Sequence, residues 1–195
     1  TSSRVLPQSL GGYTVGVLVQ TNFGGVLEIN GVPVGKELGK YSFSGQIGKD
    51  ADGSCMIVVM TDAPVGAPGL KRIAKRAIMG LAKTGGIASN GSGDYVIAVS
   101  TAPELRIQHT SESIFYESKV LRNDNLSPLF LATIEATEEA IINSLFAAET
   151  LSGKGGYKVN ALPIKQVIEI MKKYNRIRAY KINAAIIHNS PCFYF

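Results

Sequence analysis

An amphipathic helix between two β-branched runs is the feature that most limits how this chain can fold. Residues 54–62 read SCMIVVMTD and residues 94–101 read DYVIAVST, and both runs predict strands. Between them, apolar residues recur at helical spacing from Leu70 to Leu81, with Lys and Arg on the other side. Gly85-Gly86 predicts the end of this helix. The order strand, helix, strand indicates layers of helices against a sheet.

The flanking segments extend this pattern. Residues 13–22, YTVGVLVQTN, predict a strand that is buried on both faces or lies at the centre of a sheet. Residues 24–35 predict a hairpin or edge segment, a buried helix is predicted from Pro128 to about Glu149, and a last helix from Pro163 to about residue 175. We therefore expect an α+β or layered α/β fold, and the 195 residues, 45% of them hydrophobic, suit one domain.

Composition argues against several classes of partner. The net charge is +5, but Lys and Arg interleave with apolar residues at helical spacing, which favours solvated helix faces over nucleic-acid binding. The richest apolar runs stop after about six residues, whereas a membrane span needs about 20, so we expect no membrane insertion. Cys55 and Cys192 show neither metal-site spacing nor a disulfide framework, and a reducing compartment, the cytoplasm, is the expected location, with export left open.

The histidines offer little for catalysis. His109 and His188 lie in unrelated contexts, and neither has an acidic partner at ligand spacing. The sequence therefore disfavours a Ser-His-Asp triad and a zinc site. Residues 153–156, GKGG, lack the Lys-Ser/Thr ending of a phosphate-binding loop.

Ser54 stands where a polar, turn-prone stretch meets an apolar strand. One interpretation is a simple Asp-Gly-Ser turn before a strand. The other is a chain break between Gly53 and Ser54, in which the hydroxyl attacks the preceding carbonyl through an ester, helped by the conformational tolerance of glycine. The product would carry a hydroxyl and a free α-amine on one residue, and an α-amine with a pKa of about 8 can act as a base near neutral pH.

The segment NGSGD at 90–94 also has two interpretations. It can be a turn between a helix and a strand, with glycines that supply positive φ angles. Alternatively, its backbone N–H groups and the Ser92 hydroxyl lie close to a reacting centre, with Asp94 orienting them.

Taken together, several long segments resemble the DmpA-type aminopeptidases, the P1 family of self-processing peptidases (peptidase family S58), which includes the L-aminopeptidase/D-esterase and the β-peptidyl aminopeptidases. The resemblance covers roughly residues 1–178. It rests on YTVGVLVQTNFG, INGVPVG, GSCMIVVMTDAPV, LKRIAKRAIMGLAKTGG and NGSGDYVIAVST in this order, with TSSRVL and VNALPIKQVIEIMKKY at the two ends.

The resemblance implies a four-layer αββα sandwich, here partial, and a precursor that cleaves itself between Gly53 and Ser54. Ser54 is then the nucleophile and the first residue of a β subunit, and either its α-amine or the catalytic residues Ser92 and Asp94 together handle the proton. Asn22 matches a residue that helps stabilise the oxyanion, and Ser92 and Gly93 match the turn that supports nucleophile and oxyanion. Asp94 falls where family members carry an acidic residue, in some cases Glu, which has a longer side chain.

From the same resemblance we expect one domain over residues 1–180, with 1–53 as the end of the α subunit and 54–180 as the β subunit, and a tail over 181–195 outside the resemblance. The family's α subunit is longer on its N-terminal side, so we expect this chain to be a shortened or split member. Expected partners are short peptide, amide or ester substrates, the two subunits made from one precursor, and further copies in a homo-oligomer. No metal or organic cofactor is expected.

Two other functions stay open from the sequence. The chain can be an uncleaved, non-catalytic remnant that serves as an assembly or binding subunit. It can also transfer an acyl group to another amine, as the ornithine acetyltransferases do, although those enzymes use Thr as the nucleophile where this chain has Ser54.

Overall fold

The computed structural model describes residues 1–43, 53–110 and 112–177. The expected tail at 181–195, with His188 and Cys192, lies outside the described residues. The strands are β1 Ser2–Val5, β2 Thr14–Asn22, β3 Ser54–Thr61, β4 Tyr95–Ser100, β5 Leu151–Ser152 and β6 Lys158–Val159. The helices are α1 Val34–Glu37, α2 Ala67–Lys83, α3 Ser127–Ala147 and α4 Ile164–Lys173.

The main sheet has four strands in the order β1-β2-β3-β4. The β1–β2 and β2–β3 pairs are antiparallel, and β3 and β4 are parallel. Parallel neighbours need a crossover connection, and α2 provides it between the end of β3 and the start of β4. The parallel pairing brings the first residues of β3 and β4 to the same end of the sheet.

Helices α2 and α3 cover one face of this sheet. Alternate residues of β2 and β3 point toward them, as period-2 strands require, and join the apolar faces of both helices in one core. Its fully or nearly fully buried side chains include Val15, Val17, Cys55, Ile57, Val59, Ile73, Ala77, Leu81, Leu129, Ala136 and Ile141. Each buried Val, Ile or Leu side chain contributes roughly 1.5–3 kcal/mol of burial free energy, so this core stabilises the layer.

The opposite face of the sheet, which we call the open face, is exposed over the described residues. Leu18 on β2, Met56 and Met60 on β3, and Ile97 on β4 are between 40% and 54% exposed. The prediction that β2 is buried on both faces is therefore wrong for the described residues, although its place inside the sheet is confirmed. The α+β class is also confirmed, and the described residues supply the four-stranded sheet, a layer of helices on one of its faces, and a small antiparallel sheet of β5 and β6.

The predicted helices, and the strands predicted at residues 13–22, 54–62 and 94–101, are present, with boundaries that differ by a few residues. Helix α2 begins at Ala67, ahead of the first periodic residue Leu70, because Pro68 suits the first turn of a helix. Gly85 takes a φ of +86° just after it, as expected for the glycine that ends a helix. Residues 24–35 contain a tight turn in which Ile29 and Val32 exchange two backbone hydrogen bonds, but no strand.

A second, smaller core joins the segment after β2 to helix α4. Val32 and Val34 next to α1 pack with Val167 and Met171 of α4. At its border, Glu37 accepts hydrogen bonds from Lys173 Nζ at 2.8 Å and from the Tyr174 hydroxyl at 2.7 Å. The segment that follows β2 is thereby held in place from outside the sheet.

Candidate active site

Ser54 is the first residue of β3, and Asn22 is the last residue of β2. The two are directly paired in the antiparallel register, so their side chains lie on the same face, which is the open face. Ser54 is half-buried and Asn22 is exposed. The structure thus brings together, from positions far apart in sequence, the predicted nucleophile and a predicted oxyanion donor.

A turn before β4 lies on the other side of Ser54. The Ser92 N–H donates to the Ser89 carbonyl at 2.8 Å, which closes the turn, and the Gly93 N–H donates to the Ser54 Oγ at 3.1 Å. This bond connects two segments that are 39 residues apart. It sets a backbone donor at the hydroxyl, the arrangement that stabilises negative charge on a reacting oxygen.

Asp94 acts on Ser54 through its neighbours. Its Oδ1 accepts the backbone N–H of Cys55 at 2.8 Å, and its Oδ2 accepts the Ser92 hydroxyl at 2.6 Å. Hydrogen bonds to an ionised acceptor are short and strong, so the carboxylate fastens the start of β3 to the turn. Through these two bonds, Asp94 connects the residue after Ser54 to the turn whose Gly93 N–H donates to Ser54.

Gly53 precedes Ser54 in a space that admits no side chain. A Cβ on residue 53 would lie 2.2 Å from the Asn22 carbonyl oxygen and 2.7 Å from the Phe23 Cα. Atoms do not approach this closely, so only glycine can bring the 53–54 peptide against the end of β2. The glycine on which the cleavage hypothesis depends is therefore also required by packing.

The loop after β2 is fixed to the residues that end α2. Val26 N–H donates to the Gly85 carbonyl at 3.0 Å, and Glu28 N–H donates to the Thr84 carbonyl at 3.1 Å. A Cβ on Gly85 would lie 1.8 Å from the Val26 carbonyl oxygen, so this contact also requires glycine. A shallow pocket opens beside these segments, lined by Phe23, Gly24, Gly53, Leu81, Gly86, Ala88, Ser89, Ser92 and Asp94.

Cys55 follows the nucleophile but faces the helices, where it is fully buried. Burial, and secondarily the negative charge of Asp94, raise the pKa of this thiol from 9.0 to about 11. A thiol that stays protonated is a poor nucleophile, so Cys55 is a core residue and not a candidate nucleophile.

Sequence reasoning missed two features of this site. One is the hydrogen bond from the Cys55 backbone N–H to Asp94. The residue types cannot predict this bond, because every residue except proline carries a backbone N–H. Tyr95, the first residue of β4, was read only as part of a strand, although it directly follows Asp94 and is 63% exposed. An aromatic residue at the start of a strand, beside a candidate catalytic turn, is the signal that would have singled it out.

His109 is exposed in the segment that follows β4, and β4 ends beside Thr61, at the end of β3 away from Ser54. Thr101 N–H bonds to the carbonyl of Thr61, the last residue of β3, which fixes where that segment departs. Over residues 1–43, 53–110 and 112–177, no three His, Cys, Asp or Glu side chains gather as a metal site would require. None of the helices in those ranges has the length and apolar character needed to cross a bilayer.

Comparison with known proteins adds independent evidence. Two curated relatives are beta-peptidyl aminopeptidases named BapA. The one from Sphingosinicella microcystinivorans is 43% identical over 194 residues, covering 93% of this chain and 48% of the relative. The one from Sphingosinicella xenopeptidilytica is 36% identical over 185 residues, covering 88% and 45%. The chain thus spans about half the length of the curated relatives it matches.

Solved structures share the fold. The PH0078 protein from Pyrococcus horikoshii OT3 superposes with a TM-score of 0.77 at 46% identity, covering 90% of this chain and 47% of that one. The L-aminopeptidase D-Ala-esterase/amidase from Ochrobactrum anthropi, described as a prototype of the serine aminopeptidases and a variant of the Ntn hydrolase fold, gives 0.77 at 34% identity, covering 90% and 48%.

The family model for peptidase family S58 matches residues 1–159, which include both strands and the turn around Ser54. The resemblance found in the sequence motifs is therefore confirmed, and the chain belongs to peptidase family S58.

Proposed function

We propose that this chain is the part of a self-processing aminopeptidase that carries its nucleophile, and that Ser54 performs both the self-cleavage and the hydrolysis. The observation that carries the proposal is the position of the Ser54 hydroxyl between Asn22 and the Gly93 N–H, which lies 3.1 Å from Oγ. Membership in family S58 and the names of the relatives support the same reaction class.

In the self-cleavage, Ser54 Oγ attacks the Gly53 carbonyl carbon, and the C–N bond between the two residues breaks. The acyl group passes to oxygen as an ester, and water then hydrolyses the ester to a Gly53 carboxylate and a free Ser54 hydroxyl. The nitrogen released from the amide takes up the hydroxyl proton and becomes the Ser54 α-amine. Glycine at position 53 permits the close approach to Asn22 and Phe23 on which this geometry depends.

In substrate turnover, the new α-amine accepts the Oγ proton while Oγ attacks the carbonyl carbon of a peptide, amide or ester. The amine or alcohol leaves with a proton, and water resolves the acyl-enzyme. Asn22 and the Gly93 N–H stabilise the oxyanion, and loss of one such donor typically costs about 10²- to 10³-fold in rate. Ser92 and Asp94 position the turn and the start of β3. No step calls on a metal or an organic cofactor.

The substrates we propose are short peptides, amides or esters, from which the N-terminal residue is removed. Identity to two beta-peptidyl aminopeptidases favours an N-terminal β-amino acid. Processing would divide a single domain over 1–180 into 1–53, the end of an α subunit, and 54–180, a β subunit. We further propose a homo-oligomer in the cytoplasm.

The self-cleavage is tested by intact mass and denaturing gels of the full-length protein and two variants. The protein and its Ser3→Ala variant, a control at an exposed strand serine, should both appear as two fragments, and Ser54→Ala as a single chain. A Ser54→Ala protein that still divides would overturn the proposal. An undivided wild-type chain, which for these 195 residues is 20.8 kDa, would instead favour the non-catalytic remnant.

A further inference from the structure

Tyr95 is the largest side chain exposed next to the nucleophile. It begins β4 and is paired in register with Met56 of β3, so both lie on the open face, as Ser54 does two residues before Met56. The neighbouring residues Val96 and Ala98 face the helices and pack against the main core. The Tyr95 ring is not part of that core, and 63% of its surface is exposed.

The ring and the nucleophile share one contact surface on Gly93. A Cβ built on Gly93 would lie 3.2 Å from the Tyr95 Cε2 and 3.4 Å from the Ser54 Oγ. Gly93 carries no side chain, so nothing from this residue separates the ring from the hydroxyl. The Gly93 N–H also donates to that hydroxyl, which holds Oγ on the ring's side of the turn.

Oγ is the atom to which the acyl part of a substrate becomes bonded. The leaving group departs after the first step, whereas the acyl group stays on Oγ until water releases it. Whatever side chain the acyl residue carries is therefore held next to Gly93 during both chemical steps. An exposed aromatic ring at this position offers an apolar surface of the kind that lines ligand pockets.

We propose that the Tyr95 ring is a specificity-determining wall that contacts the side chain of the substrate's N-terminal residue while its carbonyl carbon is bonded to Ser54. This inference rests on the proposed function and names the substrate class within it: N-terminal residues with apolar side chains are preferred over those without a side chain. Met56, exposed beside the ring, extends the apolar surface away from Ser54.

The experiment compares kcat and KM of the full-length protein for two p-nitroanilides, one of β-homophenylalanine and one of β-alanine. Tyr95→Ala should lower kcat/KM for the first by roughly 10- to 100-fold and change the second by less than about threefold, because only the first substrate has an apolar group to lose contact. Tyr95→Phe should retain the wild-type preference, since the ring is kept.

Ile97→Ala is the matched control, because Ile97 lies on the same strand and the same face and is 54% exposed, but one pair further from Ser54. It should keep the preference. Self-cleavage on gels and the melting temperature report whether each variant folds, and Tyr95→Leu, with an intermediate loss expected, replaces Tyr95→Ala if that variant does not fold.

The outcomes separate the two proposals. An active wild-type protein whose preference is unchanged in the folded Tyr95 variants, or is lost equally in Ile97→Ala, overturns the role of Tyr95 and leaves the proposed function intact. A wild-type protein that neither divides nor hydrolyses either substrate overturns the proposed function, and this inference with it.

Discussion

Asp94 illustrates how one residue can organise a candidate reaction centre through the neighbours of the candidate nucleophile. Its two carboxylate oxygens hold the backbone of Cys55 and the hydroxyl of Ser92, which flank the nucleophile on the strand and on the turn. Some family members carry Glu at this position, and the shorter Asp94 side chain is long enough to make both bonds. An error in the position of Ser54 is costly because hydrogen-bond donors must meet the reacting oxygen at defined distances.

We therefore expect Asp94→Asn to lower kcat with little change in KM. The amide keeps a single carbonyl oxygen where two carboxylate oxygens accept hydrogen bonds, and a bond to a charged group contributes about 1.5–3 kcal/mol, which corresponds to roughly 10- to 100-fold in rate. Asp94→Glu, which keeps the charge, should retain more activity than Asp94→Asn. Steady-state kinetics on a β-aminoacyl p-nitroanilide checks this, and equal activity of Asp94→Asn and the wild type would refute it.

The Cys55 thiol gives a second expectation at this scale. Its pKa is raised from 9.0 to about 11 by burial, so its contribution to stability is complete below pH 9 and is lost as the pH rises toward 11. In a Cys192→Ser background, we expect the free energy of unfolding to fall more steeply over this range than it does for Cys55→Ala. Denaturant melts at several pH values measure both slopes, and identical slopes would contradict the assignment.

At the scale of elements, local patterns were sufficient for the three longer helices and for three of the six strands in the described part of the chain. Apolar periodicity found α2, α3 and α4, and β-branched runs found β2, β3 and β4. β1 was missed because four residues, SSRV, carry no pattern of their own. Its place is set by tertiary contacts, since Arg4 pairs with Glu135 and Glu139 of α3 and Ser2 donates to Glu139. No sequence rule places such partners, which are more than 130 residues apart.

For the candidate site, too, the sequence predicted individual residues but not their arrangement in space. The motifs pointed to Ser54, Asn22, Gly93 and Asp94 individually, through the family resemblance. Their mutual geometry depends on the β2–β3 register and on the β3–α2–β4 crossover, which are long-range features. For this reason the link from Asp94 to the Cys55 backbone became visible only in the folded chain.

The contact between α2 and α3 depends on one small residue, Gly80. A Cβ on Gly80 would lie 2.6 Å from the Ile134 carbonyl oxygen and 2.7 Å from the Thr137 Cβ. Alanine would raise helix propensity by about 1 kcal/mol, but overpacking costs about 1–3 kcal/mol, and two backbones cannot yield as a flexible side chain can.

We thus expect Gly80→Ala to lower the free energy of unfolding by roughly 1 kcal/mol or more. Gly16→Ala is the control, because its Cβ would meet nothing closer than the Met60 carbonyl oxygen at 4.0 Å. Urea melts of the two variants test the difference. If Gly80→Ala were as stable as the control, the helices would have to be less tightly packed than the structure shows.

At the scale of the whole molecule, the open face is an apolar surface that the described residues leave exposed. Leu18, Val58 and Ile97 lie side by side in one row across β2, β3 and β4, and Met56 and Met60 flank that row. A contiguous apolar surface of this kind rarely stays in water in a monomer. Since the chain spans about half the length of its curated relatives, and the resemblance implies two facing sheets, we expect this face to pack against the second sheet of the sandwich from the row of Leu18, Val58 and Ile97 onward. The end of the face next to Ser54, where Tyr95 lies, then stays open to substrate.

The exposed Leu18 provides the test, because a charge there has opposite effects in the two settings. In the 195-residue chain alone, Leu18→Glu should leave stability nearly unchanged and reduce self-association and dye binding, since the side chain is 47% exposed. With the complementary half present, supplied by the part of the Ochrobactrum anthropi enzyme that this chain does not cover, the same charge would be buried between sheets without a partner, at a cost of several kcal/mol.

Co-purification of the two halves should therefore succeed with the unmodified chain and with Lys75→Glu, a control on the exposed side of α2, and fail with Leu18→Glu. Assembly that tolerates Leu18→Glu would mean that the open face contacts something other than a second sheet.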